Sequence, residues 1–190
     1  MADLKFICCS VLAGEIKKVL KDLHLKADLS CLTPGLHVDN RKLEQKLVPA
    51  LKDCCGKNLV LIYGSQCHPE MKTWQRKYNF RQPEEPDCIG ILLGQERREQ
   101  FSQEARTFYL TPGWLRHWKE IFEENLGWDK TEAHLNFGRY ERILFLDSGI
   151  STVDEEKLLE FFDYTGVPIE IRPVGLNHIT NLIQKLTQCP

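Results

Sequence analysis

The sequence predicts an α/β fold: a single domain over residues 1–190, with a mostly parallel sheet carrying helices on both faces. Three observations predict it. Short apolar runs recur along the chain, and those at 4–8, 59–63 and 143–146 are apolar on both faces, as strands covered from two sides are. Segments with apolar residues at helical spacing lie between these runs. Glycine, proline and capping residues punctuate the joins. A chain of 190 residues also buries a substantial core without disulfide staples.

Taken in order, residues 4–8 (LKFIC) read as a first strand. Ile16, Val19, Leu20 and Leu23 then mark the apolar stripe of a helix. A second strand over 27–32 ends at Thr33-Pro34-Gly35, followed by Leu36-His37. Asp39 or Asn40 caps a helix whose Leu43, Leu47, Val48 and Leu51 share one face, and Gly56 closes it. The run 59–63 (LVLIY) is the clearest strand. It breaks at Gly64 into Ser65-Gln66-Cys67-His68, and a short helix is expected over 70–78. Asp87 caps a helix beginning at Cys88, and residues 114–126 are expected to form an amphipathic helix with Trp114, Leu115, Trp118, Ile121 and Phe122 inside. Strands at 143–146 and 167–171 flank a helix capped by Ser151 or Thr152, and Asn177 opens the last helix.

Composition narrows the function classes. Hydrophobic residues make up 42% and charged residues 27%, with a net charge of -2, so no basic stripe exists to track phosphates and no anionic membrane surface is favoured. No apolar run reaches bilayer length. Residues 6–14 (FICCSVLAG) superficially resemble the apolar part of a secretion signal, but they are short, follow an acidic Asp3 and run into an amphipathic helix. A cytoplasmic protein is therefore expected. Dinucleotide-binding, phosphate-loop and GxSxG motifs are absent, which leaves nicotinamide-linked, nucleotidase and serine hydrolase readings without motif support.

Eight cysteines are the anomaly. In a reducing compartment that number points to metal ligation or redox work, yet no paired CxxC spacing occurs, so a site has to be assembled from distant segments. Ligands of parallel sheets collect at the carboxyl ends of the strands. That edge would gather Cys8 and Cys9 after the first strand, His37 after the second, Cys67 and His68 after the third, and Asp147 with Ser148 after the fourth. Helix starts share the edge, which adds Cys88 and Thr111-Pro112-Gly113-Trp114. Cys88 in a first helical turn meets unpaired N–H groups that favour a thiolate. Cys31, Cys54, Cys55 and Cys189 are read as packing or surface thiols.

Several of these motifs resemble an archaeal and bacterial family catalogued as domain of unknown function 1638. The similar features are Cys9 with Glu15, Leu36-His37, Tyr63-Gly64 with Cys67, Asp87-Cys88-Ile89, Leu92-Leu93-Gly94 and Tyr109 to Trp114. Two departures stand out. Pro86 replaces a histidine that usually precedes the Asp-Cys pair, and the Tyr-Gly to Cys interval is one residue longer. His68 is the candidate replacement for the missing imidazole. The resemblance singles out Cys9, Cys67 and Cys88 by matching motifs, the same three that the strand-end argument places along one edge, and implies an association with anaerobic corrinoid-dependent methyl transfer or one-carbon metabolism.

Three thiolates suit an iron–sulfur cluster or Zn²⁺, with His37, His68, Cys8 or an exogenous ligand in a fourth position. A partner corrinoid protein or methyltransferase follows from the same resemblance. Two alternatives stand beside this expectation. One is a metal-free thiol enzyme with Cys88 as nucleophile and His37 or His68 as base; the other is an accessory protein that delivers metal to a methyltransferase. Trp114 is a candidate wall for a planar ligand, and Thr111 with Gly113 a candidate anion contact at a helix start.

Overall fold

The computed structural model describes residues 4–54 and 58–188, apart from the side chain of His37. The chain divides into two compact units, one formed by Met1–Gly94 with Leu176–Pro190 and the other by Gln95–Gly175. The first unit opens with β1 (Leu4–Cys9), a 3₁₀ turn (Ser10–Leu12), α1 (Ala13–Asp22) and β2 (Ala27–Leu32). A 3₁₀ turn (Leu36–Val38), α2 (Asn40–Asp53), β3 (Asn58–Ile62), α3 (Met71–Tyr78) and α4 (Cys88–Leu93) follow. The second unit contains α5 (Gln95–Glu104), β4 (Thr107–Leu110), α6 (Pro112–Arg116), a π-helical segment (Lys119–Asn125) and α7 (Lys130–Phe137). It continues through β5 (Arg142–Asp147), α8 (Glu155–Thr165) and β6 (Ile169–Pro173), after which α9 (Asn177–Gln188) belongs to the first unit again.

Each unit holds a three-stranded parallel sheet, ordered β2-β1-β3 in the first and β4-β5-β6 in the second. The α/β class, the parallel strands and the flanking helices are as the sequence predicts. The strands are shared between two sheets, and which strands pair is a choice that apolar patterning leaves open. In the first unit β1 is central, with Phe6, Ile7 and Cys8 fully buried. α1 turns Ile16, Val19 and Leu20 inward while Lys17 and Lys18 stay exposed, as the spacing requires. Each such apolar side chain contributes about 1.5–3 kcal/mol by leaving water. Asp39 caps α2, its Oδ1 accepting from the Arg41 and Lys42 N–H groups at 2.9 and 3.3 Å. Gly56, the expected close of α2, lies outside the described residues.

In the second unit Arg142 opens the central strand while almost fully buried. Its guanidinium donates to Thr107 Oγ1 (2.9 Å), Glu170 Oε2 (3.0 Å), the Phe101 carbonyl (3.0 Å) and Glu104 Oε2 (2.8 Å). One cation thus ties β4, β5, β6 and α5 together, the buried charge being tolerated because every direction is met by an acceptor. Three local readings differ from the structure. β4 is a four-residue strand in a stretch to which the sequence reading assigns no element. The helix expected over 114–126 breaks at His117 and resumes as the π-helical segment. α8 is capped by Asp154, whose Oδ1 accepts from the Lys157 N–H at 3.1 Å, so the cap sits two residues after Thr152.

Candidate functional site

Three backbone segments of the first unit converge at the carboxyl end of its sheet. β1 ends at Cys9; β3 ends at Ile62, from which Tyr63 and Gly64 lead into a turn holding Cys67; α4 begins at Cys88. The second and third segments are laced together by backbone hydrogen bonds. Ser65 N–H donates to the Glu85 carbonyl (2.8 Å) and Gln66 N–H to the Pro86 carbonyl (3.1 Å), while Ser65 Oγ donates to the Glu84 carbonyl (2.9 Å). Cys67 N–H closes the turn on the Gly64 carbonyl at 3.1 Å. The lacing requires glycine at 64. A Cβ there would stand 2.2 Å from the Pro86 oxygen and 2.4 Å from the Asp87 Cα, both backbone atoms that cannot swing aside.

Asp87 starts α4 as expected, with its Oδ1 accepting from the Ile89 and Gly90 N–H groups at 3.1 and 2.9 Å. Those donors are consequently engaged by a carboxylate, and the field that Cys88 meets is that of a capped start. Cys9, Cys67 and Cys88 line one small cavity of about 40 Å³, together with Tyr63, Gly64, Asp87 and three apolar neighbours, Val11, Ile62 and Ile91.

Burial governs the electrostatics of this cavity. It pushes the Cys9 thiol up, and it pushes Cys67 up to about 12, with the neighbouring Cys9 and Asp87 adding to the effect. The Tyr63 hydroxyl is also held well above the usual phenol range, first by burial and then by the nearby thiols of Cys9, Cys8 and Cys67. Buried and facing Cys9, it makes no hydrogen bond of ordinary geometry. Among the described residues, no group of three or more His, Cys, Asp or Glu side chains is gathered as a ready coordination shell. The three thiols share a cavity without closing on a common point.

The other expected residues fall elsewhere. His68 is buried, stacked on Trp74 with ring centroids 4.2 Å apart, and its Nδ1 accepts from the Glu70 N–H at 3.1 Å. It thereby orders the turn that leads into α3, whose N-cap is Glu70, and the residues lining the thiol cavity do not include it. His37 lies in the 3₁₀ turn Leu36–Val38, and its side chain is outside the described part. Thr111, Gly113 and Trp114 belong to the second unit. Thr111 Oγ1 accepts from the Trp114 N–H (3.2 Å), and Trp114 packs against Phe108 and Phe122.

Sequence reasoning missed two residues. Tyr63 was read as the end of a strand, although a phenol between a buried run and a glycine is placed to meet whatever the glycine admits. Cys31 was read as a packing or surface thiol, and it is exposed, yet the Cys8 thiol donates to its sulfur at 3.3 Å. That contact holds the buried Cys8 up and, together with Lys17, draws Cys31 below the usual thiol range.

The second unit has a larger cavity of about 130 Å³, lined by Arg116, Asp147, Asp154 and Lys157 with Leu115 and Phe145. Size does not decide between the two. The larger cavity is lined by charges of both signs, whereas the smaller one concentrates three sulfurs and a buried phenol in an apolar wall.

A family model described as "Protein of unknown function (DUF1638)" matches residues 31–183, which takes in Cys67 and Cys88 and leaves Cys9 before the matched stretch. No curated protein matches the chain significantly, and no solved structure does. With most of its length covered by that match, the chain belongs to the DUF1638 family.

Proposed function

We propose that this protein binds a thiophilic metal, as Zn²⁺ or an iron–sulfur cluster, through Cys9, Cys67 and Cys88. The observation that carries the reading is the shared cavity: three cysteines from segments far apart in the chain line a space of about 40 Å³. Their donor chemistry fits the group, since thiolates select zinc and iron–sulfur centres over hard cations. The space suits an ion with a small exogenous ligand better than a four-iron cube, because one water alone needs roughly 10–15 Å³. Metal binding would have to draw the sulfurs inward from where they stand.

The raised thiols belong to the same reading. Cys9 and Cys67 are neutral when no cation is near, so binding displaces protons and tightens as pH rises. Cys9, Cys67 and Cys88 would hold the metal as thiolates, and the chemistry it would supply there is Lewis acidity toward an exogenous thiol, as methyl transfer requires. Tyr63, whose hydroxyl lies among the cavity residues, would hydrogen-bond such a ligand, and the apolar wall would exclude competing water. The assignment to anaerobic corrinoid-dependent methyl transfer or one-carbon metabolism, with a corrinoid protein or methyltransferase as partner, rests on the family likeness alone.

A metal-free thiol enzyme with Cys88 as nucleophile needs a base beside it. His68 has its Nδ1 engaged and its ring stacked on Trp74, an arrangement that favours the metal reading. An accessory role in metal delivery would use the same three ligands and differ in releasing the ion to a partner. Elemental analysis and an absorption spectrum of anaerobically purified protein test the proposal. Stoichiometric zinc without colour, or iron with charge-transfer absorption, supports it; protein that acquires neither metal contradicts it.

A further inference from the structure

We propose that Cys8 and Cys31 form a dithiol–disulfide couple that exchanges with low-molecular-weight organic disulfides, a second sulfur site apart from the Cys9, Cys67 and Cys88 cavity. The geometry rests on sheet register. Cys8 of β1 and Cys31 of β2 are direct Cα partners on neighbouring parallel strands. Neighbouring strands lie about 4.8 Å apart, which falls inside the roughly 4.4–6.8 Å Cα separation that disulfides span. The two sulfurs are already 3.3 Å apart. A disulfide bond is about 2.05 Å long, so the sulfurs have little more than an ångström to close, and the register already sets the two residues opposite one another. The residues lining the neighbouring cavity include Cys9 and not Cys8.

Exposure sets the order of events. Cys8 is fully buried in the central strand, whereas Cys31 is exposed on β2, at the edge of the sheet. A reagent too large to enter the core meets Cys31 first. The Cys31 thiolate attacks one sulfur of the organic disulfide, a mixed disulfide forms, and the first thiolate leaves. Cys8 then gives up its proton and attacks the Cys31 sulfur of that mixed disulfide, which expels the second thiolate. Two protein thiols are oxidised and one organic disulfide is reduced to two thiols, so electrons and protons balance without a metal or peroxide.

The experiment incubates reduced protein with glutathione disulfide under anaerobic conditions, followed by intact mass and peptide mapping. The expected result is a loss of two hydrogens, a peptide pair joined through residues 8 and 31, and reversal by excess glutathione. Cys31→Ser should show neither the link nor an adduct at these positions. Cys8→Ser should hold one lasting glutathione adduct at Cys31, because nothing remains to displace it. The proposal is overturned if wild-type protein stays reduced, keeps a lasting adduct at Cys31, or joins Cys31 to Cys9. Should Cys8→Ser fail to fold, the wild-type and exposed Cys31→Ser proteins decide the matter alone. Metal content is not the readout, so this proposal and the metal site fail separately.

Discussion

The two parallel sheets end in different chemistry. At the carboxyl edge of β2-β1-β3, the residues that close the strands are thiols, a phenol and a glycine, and the backbone is laced so tightly that only glycine fits at 64. At the carboxyl edge of β4-β5-β6, the groups are Asp147, Asp154, Arg116 and Lys157 around a roomier cavity. Asp147 Oδ1 there accepts from the Gly149 N–H at 2.9 Å, an ordinary turn contact. Two three-stranded parallel sheets, which differ in strand order, therefore present soft donors in an apolar setting at one edge and hard charges of both signs at the other. The difference teaches that the strand-end rule locates candidate edges, and that donor type and desolvation decide which of them carries chemistry.

The largest expected effect comes from testing the lacing. Gly64→Ala forces a Cβ into backbone atoms of Pro86 and Asp87 and should cost about 3 kcal/mol or more in denaturant unfolding, because backbone cannot swing aside as the end of a side chain can. The matching change at the other edge, Gly149→Ala, meets open space and carries only the strain of a positive φ of 70°, about 1 kcal/mol. Equal losses at the two positions would remove the contrast between a tightly constrained edge and an open one.

Alkaline pH should separate the edges next. In metal-free protein the folded pKa of Cys67 is raised to about 12, and Cys9 and Tyr63 are raised with it. These groups hold their protons longer in the folded chain than in the unfolded one. Their contribution is therefore fully present below the unfolded thiol value, near 9, and is lost as pH climbs toward 12. Stability should fall by about 1 kcal/mol per pH unit for Cys67 across that window, before screening by its partly exposed setting. Cys67→Ala should flatten the slope; an unchanged slope would mean that the cavity thiols are not desolvated. Saturating zinc should diminish the effect, since the ligated thiolate no longer carries that penalty.

Smaller still is the effect of the cap. Asp87→Ala leaves the Ile89 and Gly90 N–H groups without their acceptor and should cost about 1 kcal/mol, read from the melting temperature. Asp129→Ala breaks the capping box of α7, in which Asp129 and Glu132 exchange hydrogen bonds of 2.8 and 3.0 Å, and should cost a similar amount. The two variants should part company on metal content. Asp87→Ala loosens the start of α4 and lowers zinc uptake at limiting metal, while Asp129→Ala leaves it unchanged.

Much of this was legible in the sequence, for identifiable reasons. The apolar runs around Phe6 and Val60 are dense enough to specify strands, and Asp39 and Asp87 are unambiguous caps. Placing Cys9, Cys67 and Cys88 at strand ends and a helix start was enough to bring them to one cavity. What stayed hidden depends on partners. Whether β1 pairs with β2 or with β5 leaves no trace in periodicity, and neither does the register that sets Cys8 opposite Cys31. β4 spans only Thr107–Leu110, too few residues to show alternation before the Thr111 cap begins α6. His68 looked like a ligand because it follows Cys67, but a buried ring that satisfies the Glu70 N–H is a local solution that adjacency cannot reveal.

The most direct test of the central claim is the metal stoichiometry of four proteins purified anaerobically side by side: wild type, Cys67→Ser, Cys88→Ser and the double variant with Cys54 and Cys55 both changed to Ser. The account predicts near-stoichiometric zinc or iron in the wild type and the Cys54/Cys55 variant, and loss of metal from Cys67→Ser and Cys88→Ser. Metal retained by either of those single variants, or lost equally from the Cys54/Cys55 variant, would contradict it.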